Sequence, residues 1–373
     1  MKIAIAGDIS LQDRSAKQRW DESQLVRSFA KVKDEVGNCE HAVLNLESPV
    51  TDCRDAILKD GPTLKNGLEV FDIIKFCGFD TVTLANNHLR DYGSEGVTDT
   101  IEESQRMGIK TVGAGLNVSE ARTPLIFEGY DVKIGIINVC ENESSIATST
   151  TAGANPLDIA NLYYDIDKLH KQVDKVIVII HGGREHYQLP TPRMKRDYHL
   201  IADFGADVIV NHHQHCFSGY EIYKGKPIFY GLGNFFFDNP AKRDNKWNYG
   251  LLLKLDIEKS KVDYELLPLE QCNHQAEVKV TRFEKVAKDL EELNAIIADS
   301  ERLEGEFDKL IENSKPLYPF LPYGNHYLRA LYVRGLLPDF ISKINKAKIE
   351  NTVSCETHRE ILLQYLNKTI HNE

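Results

Sequence analysis

The sequence has no apolar run long enough to cross a bilayer. Its longest runs, at 176–180 and 250–253, fall far short of the roughly 20 apolar residues that a transmembrane helix needs. The first six residues lead directly into Gly7 and Asp8. They therefore predict a β-strand rather than a secretory signal, which has a basic start, a longer apolar stretch and a small-residue cleavage site. We expect no transmembrane segment.

Cysteine pairs with metal-binding spacing are also absent. The seven cysteines are scattered along the chain and none forms a Cys-x-x-Cys pair. Their odd number and irregular spacing argue against both a disulfide framework and a thiolate zinc site. A cytoplasmic protein with reduced thiols is the expectation.

Positive charge is in deficit. Lys and Arg number 45 against 56 Asp and Glu, which gives a net charge of −11. Such a charge repels polyanions unless a local cationic centre reverses its sign, so nucleic acid and anionic membranes are poor candidate partners. Hydrophobic residues make up 42% of the chain, which is typical of a folded globular protein and excludes a disordered or fibrous one.

From residue 1 to about 270, short β-rich runs alternate with amphipathic stretches, which is typical of α/β layers. The predicted strands are 2–6, 42–46, 81–84, 133–139, 175–180 and 207–210, and the predicted helices lie near 23–36, 67–77, 94–107, 161–173 and 193–204. Turns at Gly129 and Gly225 predict antiparallel hairpins, and 250–255 with 262–267 predicts another antiparallel pair.

The character of the sequence changes near residue 275. Residues 284–312 are charged, have Leu and Ile at helical spacing and lack proline, which predicts one long amphipathic helix. Further helix is predicted from about 325 to 370, after Pro316, Pro319 and Pro322. We therefore expect an α/β domain over 1–275 and a helical C-terminal extension over 276–373. The extension suits packing against the first domain or against a second subunit.

Polar residues that can bind metals follow five of the predicted strands. They are Gly7-Asp8, Glu47, Asn86-Asn87-His88, His181-Gly182-Gly183-Arg184-Glu185 and Asn211-His212-His213-Gln214-His215. Any one of these endings alone is better explained as a capped turn, an ion pair or a hydrogen-bonded loop histidine. Five of them at one edge of an open sheet predict a shared metal site.

The residue types fit a hard or borderline divalent cation, which takes carboxylate, carbonyl and imidazole ligands. Two such cations about 3.5 to 4 Å apart can share a bridging carboxylate and hold an oxyanion between them. His213 and His215 are two positions apart. An extended segment points both rings to one side, whereas a tight loop can divide them between two metals.

The ordered motifs resemble the CapA family, the poly-γ-glutamate capsule synthesis proteins within the calcineurin-like metallophosphoesterase superfamily. The resemblance covers about residues 1–240. Its motifs are Gly7-Asp8, Asn45-Leu46-Glu47, Asn86-Asn87-His88-x-x-Asp91-Tyr92-Gly93, His181-x-Gly183-x-Glu185, His212-His213-x-His215 and Gly231-Leu232-Gly233-Asn234-Phe235. The resemblance implies a four-layer α/β/β/α metallophosphoesterase-like sandwich, with one or two divalent ions of Mn, Fe or Zn at the shared edge of the sheets.

The resemblance also implies roles for single residues. Asp8 and His215 would bind the first metal, Glu47 would bridge both metals, and Asn87, His181 and His213 would bind the second. His88 would steady the charge of the transition state or protonate the leaving group, and Asp91 would orient His88. Asn234 is expected to be structural.

The sequence departs from the superfamily pattern at two points. Ser10 stands where a histidine is expected, so the first metal would lose an imidazole. Gly182 stands where family members often have an aromatic residue, which is expected to open the cavity. Arg90 and Arg184 lie within the motif loops, where they could bind phosphate or carboxylate oxygens.

Two functions remain open from the sequence. One is a CapA-like metal-dependent hydrolase of phosphoesters, linked to capsule, poly-γ-glutamate or other cell-envelope polymer synthesis. The alternative is an accessory protein that binds an anionic polymer or sugar-phosphate during assembly, without turnover. Ser10 favours the second function, and retention of the other motif residues favours the first.

Overall fold

The computed structural model describes residues 1–313, 327, 331, 334, 336 and 342–371. Its strands are β1 (Lys2–Ser10), β2 (His41–Leu46), β3 (Thr81–Thr83), β4 (Lys110–Val112), β5 (Ala114–Gly115), β6 (Leu125–Glu128), β7 (Lys133–Cys140), β8 (Gly153–Ala154), β9 (Lys175–His181), β10 (Val208–His212), β11 (Tyr220–Tyr223), β12 (Lys226–Phe229), β13 (Asn234–Phe237), β14 (Tyr249–Ile257), β15 (Val262–Gln271) and β16 (Val278–Val280). Its helices are α1 (Asp13–Lys17), α2 (Glu22–Val36), α3 (Val70–Cys77), α4 (Gly93–Arg106), α5 (Val118–Ala121), α6 (Ile159–His170), α7 (Pro192–Phe204), α8 (Glu284–Ala298), α9 (Ser300–Asn313), α10 (Lys343–Ser354) and α11 (Glu356–His371), with a 3-10 turn at Lys246–Asn248.

Most of the strands form two mixed sheets. The first has the order β16-β15-β14-β1-β2-β3-β4, with β13 also paired to β1, and the second has the order β11-β12-β10-β9-β7-β6. In the first sheet β1 to β4 run parallel and the antiparallel strands β14, β15 and β16 lie at one side. In the second sheet the central strands run parallel and an antiparallel strand lies at each edge. The mixed α/β class predicted from the sequence is confirmed. The predicted antiparallel pairs are confirmed as β6–β7, β11–β12 and β14–β15.

The two faces of β1 pack into different hydrophobic clusters. Ile3 and Ile5 join a cluster that contains residues of β7, β9 and β10 in the second sheet. Ala4 and Ala6 belong to a cluster that contains residues of α2 and α3. Because successive side chains of a strand point to opposite faces, β1 is buried on both sides. Its apolar sequence has no polar face for that reason.

The predicted single helix over 284–312 is wrong, because the structure has two helices, α8 and α9, with a break at Asp299. Asp299 has an extended backbone, and its Oδ1 atom accepts hydrogen bonds from the backbone N–H groups of Glu301 and Arg302, each at 3.1 Å. An aspartate in this position caps a new helix and competes with continuation of the preceding one.

The described C-terminal helices contact the α/β part of the chain. Glu360 of α11 accepts hydrogen bonds from Thr191 and Arg193 at the start of α7, and Glu356 accepts a bond of 2.8 Å from the backbone N–H of Asn142. Of the helix predicted over 325–370, α10 and α11 are described. The three prolines before it lie outside the described residues, and the domain division at residue 275 stays a prediction.

Candidate metal centre

A bulge in β1 places Asp8 at the carboxyl edge of the first sheet. The pairing of β1 with β2 shifts register between Ala6 and Asp8, which leaves Gly7 without a partner in β2. A Cβ atom at Gly7 would lie 1.7 Å from the carbonyl oxygen of Gly233. Only glycine permits this close approach, so Gly7 is needed for the local fold, and the candidate ligand of the pair is Asp8.

Asp8, Glu47 and His215 form a compact buried group. One ligand atom from each lies within 4.8 Å of the others. The Nδ1 atom of His215 is 3.5 Å from Asp8 Oδ2, and its Nε2 atom is 3.6 Å from Glu47 Oε1. The three side chains come from the ends of β1 and β2 and from the loop after β10. The structure thus brings together three of the predicted metal ligands.

Glu47 is the residue that most clearly points to a cation. It is fully buried, and neither of its carboxylate oxygens has a hydrogen-bond partner. A buried polar group without partners costs about 1 to 3 kcal/mol, and more if it is charged. Burial accordingly raises the pKa of Glu47 well above its usual range. A divalent cation would satisfy both oxygens, so the donor set fits the metal that the motifs imply.

His181, His213 and Asn87 form a second group beside the first. The Nε2 atom of His181 lies 3.1 Å from Asn87 Oδ1 and 3.1 Å from His213 Nδ1. Its Nδ1 atom lies 4.0 Å from Asp8 Oδ1, which joins the two groups. His213 and His215 have backbone φ angles of 92° and 55°. This tight, left-handed loop sends one ring to each group, as the spacing of the two histidines allowed.

Supporting residues hold these ligands in place. Asn45 donates to Asp8 Oδ1 at 2.7 Å, and Asn234 Oδ1 lies 3.0 Å from His215 Nδ1. Hydrogen bonds of this kind fix the tautomer and the orientation of a metal ligand. The contact of Asn234 through its side chain to His215 agrees with a supporting position for this residue.

His88 lies beside Glu47, and Asp91 and Lys59 contact it from the other side of the ring. Its Nδ1 atom is 2.7 Å from Asp91 Oδ2, and its Nε2 atom is 3.9 Å from Glu47 Oε1. Lys59 donates to Asp91 Oδ1 at 2.7 Å and to the backbone carbonyl of Asn87 at 2.9 Å. Because the ionised carboxylate of Asp91 can only accept, the His88 proton sits on Nδ1 and leaves Nε2 free to accept one.

Burial and charge set different protonation states across the centre. Burial alone would lower the pKa of His215, but Glu47 and Asp8 raise it to about 10. Burial would raise the pKa of Asp8, but the hydrogen bond from His215 and the nearby imidazoles lower it below its usual range.

Two other histidines of the centre shift in the opposite direction from His215. Burial lowers the pKa of His213 to about 4, and burial together with His213 lowers that of His181 well below the usual value. His181 and His213 are therefore neutral near pH 7, and the neutral imidazole is the form that binds metals.

The structure shows what surrounds Ser10 and Gly182, the two departures from the family pattern. Ser10 is buried, and its hydroxyl lies 2.9 Å from Ser48 Oγ and 2.9 Å from Gln12 Nε2. The expectation that Gly182 opens the cavity is wrong. A Cβ atom there would lie 2.7 Å from the Cγ atom of Glu141, so the Glu141 side chain fills the space that Gly182 leaves.

Two residues near the centre, Glu141 and Lys59, were not singled out from the sequence, and His212 of the His212-His213-x-His215 motif was given no role of its own. Glu141 follows directly after β7, so the strand-end rule that found the other residues could have found it too. His212 is buried with both ring nitrogens unpartnered, and its Nδ1 atom is 3.9 Å from Asp8 Oδ1. Lys59 lies in a loop between β2 and α3, where no sequence pattern marks it.

The two predicted substrate-binding arginines lie in different places. Arg90 lines a cavity that it shares with Lys59. Arg184 is half-buried and close enough to His358 of α11 for its charge to act on that ring. The structure therefore places Arg90 next to the His88 group and Arg184 beside the C-terminal helices.

A family profile described as "Bacterial capsule synthesis protein PGA_cap" matches residues 2–239, which is more than half of the chain. The chain belongs to this family. It is 33% identical over 248 residues to the PGA biosynthesis protein CapA of Bacillus subtilis (strain 168), an alignment that covers 64% of this chain and 63% of that protein.

Two more curated relatives align with the chain, one over a similar fraction of its length and one over a smaller fraction. The capsule biosynthesis protein CapA of Bacillus anthracis is 32% identical over 253 residues, covering 64% of this chain and 60% of that protein. A "Probable polyglutamine synthesis accessory protein" of Mycobacterium tuberculosis (strain CDC 1551 / Oshkosh) is 30% identical over 167 residues, covering 40% and 43%. The chain thus spans less than two thirds of the length of these relatives.

Among solved structures, the chain is similar to the calcineurin-like phosphoesterase YfkN from Bacillus subtilis. The TM-score is 0.44 at 14% identity, and the match covers 84% of this chain and 98% of the other. Within the part of the chain that the structure describes, none of the helices has the length and apolar character that a membrane crossing requires.

Proposed function

We propose that the chain is a metal-dependent hydrolase that cleaves phosphoesters during the synthesis of a capsule, poly-γ-glutamate or another cell-envelope polymer. The single observation that carries the proposal is the buried Glu47 carboxylate, whose two oxygens lack hydrogen-bond partners although Asp8, His215 and His88 lie beside it. The names of the curated relatives supply the connection to capsule and polymer synthesis.

In this proposal Asp8, Glu47 and His215 hold the first cation, and Asn87, His181, His213 and again Glu47 hold the second. Manganese, iron and zinc all accept this mixture of carboxylate, carboxamide and imidazole ligands. A bound divalent cation would supply charge for the phosphoryl oxygens and lower the pKa of a coordinated water.

The remaining chemistry is proposed for His88. With Nδ1 bonded to Asp91, its Nε2 atom faces Glu47 and the ligand group, 3.9 Å from Oε1. Burial and the charge of Lys59 lower the pKa of His88, so the ring is neutral near pH 7 and accepts a hydrogen bond or a proton at Nε2. Asp91 then stabilises the imidazolium that forms, as a carboxylate partner does in other acid–base sites.

A second function has its own support. One relative is named as an accessory protein of polyglutamine synthesis, and Ser10 removes one imidazole from the first group. A chain with the same cleft could bind an anionic polymer or sugar-phosphate without turnover. The cytoplasmic location stays a prediction of the sequence.

The test is a metal and activity measurement on the purified chain. Metal content is measured after loading with Mn²⁺, and p-nitrophenyl phosphate and bis-p-nitrophenyl phosphate serve as generic monoester and diester. We expect bound manganese and manganese-dependent hydrolysis. Loss of general acid–base help in His88→Asn should lower the rate about 100-fold or more with manganese retained.

Glu304→Gln makes the same chemical change as Glu47→Gln at an exposed helix position and serves as the control. It should behave as the wild type, while Glu47→Gln should lose both manganese and activity. Manganese binding without hydrolysis of either ester, together with binding of poly-γ-glutamate, would instead establish the accessory function.

A further inference from the structure

The cavity lined by Arg90 and Lys59 adjoins the His88 group and extends to the C-terminal helix α10. It measures about 190 Å³. Its wall includes Lys59, which donates to Asp91 and lies 3.4 Å from His88 Nδ1. Arg90, two positions after His88 in the chain, lines the same cavity. Lys59 therefore connects this cavity to the His88 group beside the candidate metal centre.

Two buried polar atoms of this wall have no partner. They are the Nε atom of Arg90 and the Oγ atom of Ser144. Among the described residues the Arg90 guanidinium has no hydrogen-bond or ion-pair partner, although the Arg90 backbone N–H donates to Ser145 Oγ at 3.2 Å. A guanidinium is a rigid donor that matches carboxylate and phosphate oxygens. Together with Lys59 it gives this wall two cationic groups.

The opposite wall comes from one face of α10. Ala347, Glu350, Asn351 and Ser354 line the cavity, and their spacing of three, four and seven residues places them on one side of the helix. No residue of α10 is buried, so this face does not belong to an apolar core. Asn351 of this helix lies close enough to Glu143 to act on its carboxyl group.

The helix that follows is held more firmly. Arg193 of α7 forms ion pairs with Glu360 of α11 and with Glu141, and Thr357 donates to Glu141 at 2.8 Å. Ile361 packs with Phe307 and Ile311 of α9. Because α11 follows α10 after a single residue, these contacts also fix where α10 ends.

We infer that this cavity binds one anionic group of the substrate, a carboxylate or a phosphate, and that α10 forms part of the substrate site. The inference rests on the proposed function, since it assigns a ligand to the space beside the same centre. Pockets for drug-sized ligands measure about 300 to 1,000 Å³, so a cavity of 190 Å³ holds one small group rather than a polymer segment.

Glu143 does not prevent this binding. Burial raises its pKa to about 8, so the side chain is largely uncharged at neutral pH and can donate a hydrogen bond. Two more acidic residues line the cavity, namely the exposed Glu350 on the α10 side and the half-buried Asp60 next to Lys59. The family match ends at residue 239, so the α10 wall belongs to a part of the chain outside it.

The experiment is calorimetric titration of the full-length chain with inorganic phosphate and, separately, with glutarate. Each titration is made on manganese-loaded protein and on chelator-treated protein, since phosphate also binds to metal ions directly. The variants are Ala347→Trp, which fills the cavity from α10, and Arg90→Gln, which removes the charged guanidinium group. Val353→Trp adds the same ring at a position of α10 that is 55% exposed and does not line the cavity.

We expect at least one of the two anions to bind with and without manganese. Ala347→Trp and Arg90→Gln should each weaken that binding at least tenfold, while Val353→Trp stays within twofold of the wild type. Preference for phosphate or for glutarate identifies which group the cavity takes. The inference is overturned if neither anion binds, or if Ala347→Trp binds as tightly as the wild type. Manganese content, measured on the same samples, tests the proposed function separately.

Discussion

Replacing Glu47 by glutamine should separate a metal-binding carboxylate from a structural one. Burial favours the neutral acid form of the Glu47 side chain, because it raises the pKa of this carboxyl well above its usual range. Glutamine has nearly the same shape and charge as this neutral acid. We therefore expect the free energy of unfolding of the metal-free variant to lie within about 1 kcal/mol of the wild type.

Manganese should distinguish the two proteins. A ligand present at 100 times its dissociation constant stabilises the folded state by about 2.7 kcal/mol, which for a chain of 373 residues corresponds to a rise in Tm of roughly 3 to 4 °C. Glu47→Gln should lose this rise, while Glu304→Gln keeps it. Differential scanning calorimetry with and without Mn²⁺ measures both effects.

A structural ion pair would give the opposite pattern. Glu47 lies 3.6 Å from His215 Nε2, and breaking a buried ion pair typically costs about 3 to 5 kcal/mol. A loss of that size in the metal-free variant, with no manganese effect on the wild type, would refute the metal-binding interpretation of this residue.

Three other changes have definite expected results. Lys59→Met removes a charge that lowers the pKa of His88, so an NMR titration of His88 should show a higher pKa, and urea unfolding should show a loss of about 3 kcal/mol. Arg193→Met should expose the C-terminal helices to limited proteolysis, whereas Arg196→Met, whose side chain is 73% exposed on the same helix, should not. Glu143→Gln should gain stability relative to the wild type as pH rises from about 5 to 8, by about 3 kcal/mol in urea unfolding.

The sign of the Glu143 effect follows from its raised pKa of about 8. Between the unfolded and folded pKa values, the unfolded chain loses its proton while the folded protein keeps it, so the wild type loses stability as pH rises. The variant has no such proton to lose. Parallel pH profiles for the two proteins would contradict this reasoning. An unchanged His88 pKa in Lys59→Met would contradict the prediction for Lys59. Equal proteolysis of Arg193→Met and Arg196→Met would contradict the prediction for Arg193.

The ends of the parallel strands were the part of the site that the sequence could predict. Asp8, Glu47, Asn87, His181 and His213 each follow an apolar run, and the carboxyl ends of parallel strands meet at one edge. The same rule, applied to the strand that ends at Cys140, would have pointed to Glu141.

Other features depend on contacts between distant segments. Lys59 lies in a loop and reaches Asp91, 32 residues away, and no local pattern indicates that pairing. The space at Gly182 could not be predicted either, because it is filled by the side chain of Glu141, which follows a different strand. Asp299 is a residue type that commonly caps a helix, so the break could have been predicted at this position. The amphipathic pattern continues on both sides of it and therefore predicted one uninterrupted helix.

The serine at position 10 can now be weighed against the rest of the first ligand group. Its hydroxyl is engaged by Ser48 and Gln12, and it therefore belongs to a local hydrogen-bond network. Asp8, Glu47 and His215 remain as three possible ligands. Catalytic zinc sites commonly have three protein ligands and keep a fourth position for water or substrate. If a cation binds here, the missing imidazole would leave such a position open, so Ser10 by itself does not decide against catalysis.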